Sequence, residues 1–135
     1  MNASDNKRWL WVLMLFGFVY LAVGITFAEF GWRLAAWLVS AVAFAVHIWY
    51  EHFRLRNSPR RTALHVSAAA ALGAFGLAVA ANVHELWANP GNHRSLLLLA
   101  LVLWPILTAL PAFVVALAAT AGLARWRPRV KESNM

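Results

Sequence analysis

The chain has no cysteine, which excludes disulfides, thiolate metal sites, iron–sulfur clusters and a cysteine nucleophile. Charge is nearly as scarce. Of the 135 residues 13% are charged and 62% hydrophobic, against about 25% and about 45–50% in an ordinary soluble domain. That balance excludes a water-solvated globule. There is no serine-nucleophile motif, no phosphate-cradling glycine loop, no pair of carboxylates within one helix and no zinc-protease helix pattern. The first apolar stretch also has no carboxylate, which argues against a small proton-coupled exporter of the four-helix type.

What remains is four apolar runs of the length a bilayer demands. Crossing a hydrocarbon core of about 30 Å takes about 20 residues of helix. The predicted spans are Trp9 to Ala28, Trp32 to Tyr50, Ala63 to Leu86 and Leu96 to Ala124. The last would be about 43 Å long if straight, which implies tilt or a bend. Each run is apolar around its circumference, as expected of a helix surrounded by lipid and other helices. Unsatisfied backbone groups are too costly in lipid for open strands, and the alternation of a barrel is absent. Lys7 and Arg8 precede the first run, but its apolar stretch is longer than that of a signal peptide, so it is read as a retained helix.

Few as they are, the charges are placed unevenly. Lys7, Arg8, Arg54, Arg56, Arg60, Arg61, Arg125, Arg127, Arg129 and Lys131 fall on one side of a four-crossing chain, leaving Arg33 and Arg94 for the other. The positive-inside bias then places both termini in the cytoplasm. The expectation is a single all-α domain spanning residues 1–135: a multi-pass protein of the inner (cell) membrane, with four transmembrane helices in an up-down-up-down antiparallel bundle. The basic tail 125–135, with Arg54, Arg56, Arg60, Arg61, Arg125 and Arg127, is assigned to anionic lipid headgroups. Nucleic acid is not expected as a partner.

Within the helices, small residues recur at helical spacing in the third span: Ala70, Ala74 and Ala78, Ala69 and Gly73, Gly76 and Ala80. They mark close helix approach, and intrachain packing is the preferred explanation. Pro105 and Pro111 predict a kink in the fourth span and free the carbonyls of Leu101 and Leu107, with Thr108 near enough to satisfy one. Trp9, Trp11, Trp49, Tyr50 and Trp126 near one boundary, and Trp32 and Trp87 near the other, are read as aromatic belts.

Polar chemistry is confined to the two boundaries. His47 and Glu51 lie one helical turn apart, and His65 enters the next span at the same depth. Two histidines and a carboxylate suit a metal, and the histidines alone suit a haem or a quinone. The alanines Ala43 and Ala80, one turn before His47 and His84, add a weak tetrapyrrole signal. The competing explanation pairs Glu51 with Arg54 at the water boundary. Glu29, Asn82, His84, Glu85 and His93 form a lesser cluster on the other side. The first functional expectation is therefore a non-catalytic accessory or stabilising subunit of an oligomer or membrane complex. The second is a metal-, haem- or quinone-linked redox component using His47, Glu51 and His65, and the third is a small oligomeric transporter or channel.

Overall fold

The computed structural model describes residues 3–29, 33–88 and 94–125. These form four α-helices: α1 (Ala3–Glu29), α2 (Arg33–Trp49), α3 (Pro59–Ala88) and α4 (Arg94–Arg125), with a single π-turn, Tyr50–Arg54, continuing α2. All four are long and apolar enough to cross a membrane. Large apolar side chains such as Leu34, Leu38, Val102 and Leu110 lie exposed along them, as lipid contact requires.

The helices outrun the predicted spans. The first starts at Ala3 and already contains Lys7 and Arg8. The third starts at Pro59, a residue suited to the first helical position because its missing amide hydrogen would have no partner there. Arg60 and Arg61, expected in a loop, therefore stand in the first turn of α3, and Arg54 in the π-turn. Arg56 has a left-handed backbone (φ 50°) in the short connection that remains. Hydrocarbon thickness fixes the length of the apolar run, whereas the helix itself continues into the headgroup layer until a turn residue stops it.

Helix α3 is the central element, packed most extensively on α4 and then on α1, while α2 leans on α1 and touches α3 and α4 lightly. Its small residues pack within the chain: Ala69, Ala74 and Ala78 are buried. Gly73 lies so close to α1 that an added Cβ would sit 2.6 Å from the Cβ of Tyr20 and 3.2 Å from the Gly17 carbonyl oxygen. Gly17 and Gly24 of α1 receive Leu72 and Leu77 in return. Both series ascend together, so α1 and α3 run parallel.

Helix α4 remains continuous through Pro105 and Pro111. The Thr108 hydroxyl donates to the Trp104 carbonyl at 2.8 Å, not to the carbonyls of Leu101 or Leu107. Near the opposite end, the Asn82 amide donates both to Ala78 O (2.8 Å) and across to Leu97 O of α4 (3.0 Å). Asn82→Ala is expected to cost about 1 kcal/mol, the net worth of a hydrogen bond. Reversible unfolding in bicelles measures it, and an unchanged midpoint would show the clasp to be idle.

Candidate functional site

At the end of α2 a π-turn, Tyr50–Arg54, replaces the ordinary α-turn. Its Leu55 amide bonds to the Tyr50 carbonyl (3.3 Å), five residues back, and the Asn57 amide then closes on the Glu51 carbonyl (3.3 Å). Single π-turns of this kind recur at functional sites. Here it leaves Glu51 and His52 buried while Arg54 is exposed.

Glu51 has no exposure, and its carboxylate accepts from the Asn57 side-chain amide. His65 Nδ1 of α3 lies 3.1 Å from Oε2 and 3.3 Å from Oε1 of the same carboxylate. His47 Nε2 approaches Oε1 at 3.9 Å. The three residues singled out in the sequence are thus gathered around one carboxylate, and Asn57 and His65, not Arg54, are its hydrogen-bond partners. The His65 side chain is 19% exposed, so this histidine connects the buried carboxylate to the surface.

Both imidazoles are walled by α1. Phe16 stacks on His47 with ring centroids 4.0 Å apart and planes within 4°, and Trp9 stacks on His65 at 4.8 Å and 11°. Trp9 is therefore half-buried against a histidine instead of serving only as a belt residue, whereas Trp11 and Trp87 are well exposed. His47 is fully buried, and neither of its ring nitrogens has a hydrogen-bond partner. An unpaired buried polar group costs about 1–3 kcal/mol, so its retention calls for a use. His52, edge-on to Phe53 at 5.0 Å, and Thr62 are also buried. An apolar cluster of Ile48, Ala63, Val66 and Ala116, with Phe44 packed against it, fixes the surrounding helices.

Of the ligands that the spacing of His47, Glu51 and His65 suggests, the metal and the tetrapyrrole find no ready seat among the described residues. Among the described residues no group of three or more histidine and carboxylate side chains is arranged to hold a metal ion. The His47 ring, enclosed with no exposure between Phe16 and Glu51, leaves no open side for a tetrapyrrole despite the small Ala43 one turn earlier.

Farther along the helices a cleft of about 500 Å³ opens among all four, bounded by Tyr20, Phe44, Ser40, Ala74, Trp104 and Thr108 among others. The arginines assigned to lipid headgroups, Arg54, Arg56, Arg60, Arg61 and Arg125, are exposed; Arg127 lies outside the described residues, as do Trp32, Trp126, Arg129 and Lys131. In the lesser cluster, Asn82 is committed to the two carbonyls above and His84 is exposed. His93 and the Glu29 side chain lie outside the described residues.

Sequence reasoning missed Asn57, Trp9 and Phe16 as parts of this centre. Asn57 stands in the short connection before α3, where no helical spacing ties it to Glu51. The aromatic walls carry no local signal, since they meet the histidines across helices. No protein-family model matches the chain, and no curated protein or solved structure is detectably similar to it.

Proposed function

We propose that this chain is a proton-handling subunit of a membrane protein assembly. In this reading it spans the cell membrane as an up-down-up-down antiparallel bundle with both termini cytoplasmic, and its exposed arginines rest on anionic headgroups. The observation that carries the proposal is the carboxylate of Glu51, buried and set between a partly exposed histidine, His65, and a fully buried one, His47. Intramembrane ionisable groups are expensive to bury and mark function by default. A subunit that served packing alone would be as stable with apolar residues there.

The order of the groups gives direction. A proton taken up at the partly exposed His65 passes to Glu51 and then toward the fully buried His47, where the row of polar groups ends. Beyond it, the cleft offers hydroxyls such as Ser40 and Thr108, of which Thr108 is already bonded. Such a dead end suits delivery to a membrane-soluble acceptor better than passage across the bilayer, which disfavours the channel reading.

Infrared spectroscopy of the protein in nanodiscs tests this. A carboxyl band that responds to pH, vanishes in Glu51→Gln and responds about tenfold more slowly after a pH jump in His65→Leu is expected, at the low end of what a positioned proton-transfer group contributes. A Glu51 carboxyl that never responds to pH would reject the proposal.

A further inference from the structure

We infer that the cleft among the four helices binds an uncharged long-chain alcohol taken from the membrane, with the chain along the cleft and the hydroxyl between Ser40 and Thr108. The inference stands on the cleft alone and does not depend on the reading of Glu51.

Shape comes first. Helix α2 touches α4 only lightly, and the space left there, about 500 Å³, falls within the range of about 300–1,000 Å³ found for small-molecule pockets. Trp37 of α2 and Trp104 of α4 bound it and are exposed, so it opens toward lipid. On the side of the central α3 it is bounded by Ala70, Gly73 and Ala74, whose small side chains leave the room unfilled. A helix with its side chains takes about 400–600 Å³ for each turn, so the cleft holds no more than about one turn and a partner's spanning helix does not fit. A single alkyl chain does.

Depth and charge then choose the head. Ser40, Ala74 and Thr108 each lie within one turn of the midpoint of their helix, so the headgroup layer is about 15 Å away, half the thickness of the hydrocarbon core. No charged side chain bounds the cleft. A phosphate, carboxylate or ammonium brought to this depth would have no counter-charge, and burying an unpaired ion is prohibitive. A phospholipid therefore sends only the end of a tail here, which leaves the hydroxyls at the wall unused. Those hydroxyls are complementary. Thr108 spends its proton on the Trp104 carbonyl at 2.8 Å and offers only lone pairs, whereas the half-buried Ser40 supplies a donor. A ligand oxygen that accepts from Ser40 and donates to Thr108 satisfies both. An alcohol does this; a ketone or an ester only accepts.

The test measures binding of radiolabelled hexadecanol to the full chain in phosphatidylcholine nanodiscs, against empty nanodiscs, with hexadecane and palmitate run in parallel. Saturable binding of hexadecanol is expected, with the other two weaker. Ser40→Ala joined to Thr108→Val should weaken hexadecanol about fivefold, the loss of one hydrogen bond of ordinary net worth, and leave hexadecane unchanged. Ala41→Leu and Ala112→Leu add bulk at two positions that bound the cleft, one exposed and one half-buried, and each should weaken hexadecanol about tenfold, as overpacking of a filled site does. Two filling variants are used so that one with unchanged circular dichroism and melting is in hand. Equal binding of hexadecane, or an affinity unmoved by the Ser40 and Thr108 changes, would reduce the site to a greasy groove and overturn the inference. Preferred binding of palmitate, no binding beyond that of empty nanodiscs, or unchanged affinity in the filling variants would overturn it as well.

Discussion

Glu51→Ala is expected to destabilise the protein by about 2–4 kcal/mol, measured as a shift in reversible unfolding in bicelles. Two donors lose their acceptor, the Asn57 amide and His65 Nδ1. Each buried orphan costs about 1–3 kcal/mol, and a fully buried site is also left empty. The lower part of the range is kept open because His65 is 19% exposed and recovers some hydration. Glu51→Gln keeps the volume and one acceptor oxygen, so its loss should stay near 1 kcal/mol. The pair of variants separates stability from chemistry: the glutamine variant should fold nearly as well and yet show no carboxyl protonation. A neutral Glu51→Ala would mean that the carboxylate satisfies nothing in the folded chain.

Gly73→Ala should cost about 1–3 kcal/mol in the same assay, an unusual penalty for one methyl group on a helix. The new Cβ would meet the Tyr20 Cβ at 2.6 Å, the Gly17 carbonyl oxygen at 3.2 Å and the Leu21 amide nitrogen at 3.5 Å. Two of these are backbone atoms and the third is fixed to backbone, so α1 and α3 must part. Helix association in lipid depends on such close approach because no hydrophobic force drives it. Overpacking at a rigid contact carries a cost of this size. Gly17→Ala and Gly24→Ala should be milder. Their Cβ atoms would meet the flexible ends of Leu72 and Leu77, and the gain in helix propensity of about 1 kcal/mol offsets the crowding. Gly122 has nothing within 4 Å of an added Cβ, so Gly122→Ala should be neutral or stabilising. A flat response across all four glycines would show that this interface does not limit stability.

The two predictions converge on one arrangement. Close packing of α1 against α3 brings Trp9 over His65, and α1 also presents Phe16 to His47. Separating the helices in Gly73→Ala should therefore loosen the wall around the polar centre as well as reduce stability.

Much of this was written in the sequence. The bilayer tolerates only long, internally hydrogen-bonded apolar elements, so four runs of sufficient length with charges between them imply four helices. His47, Glu51 and His65 were legible as a group because helix spacing and distance from the span ends place them at one depth. The small residues of α3 likewise announced a close helix contact. Other choices belong to the tertiary structure. A helix that is apolar all round has no periodic signal to say which face turns inward, so the sequence left Glu51 free to pair with Arg54 or to face α3. In the folded chain Glu51 meets His65 of α3, and Asn57 closes back on it through both its amide groups. The walls of Trp9 and Phe16 followed from the α1 packing, a contact between segments far apart in the chain. Spacing along one helix fixes which residues are neighbours on it; only the packing of several helices fixes what they face.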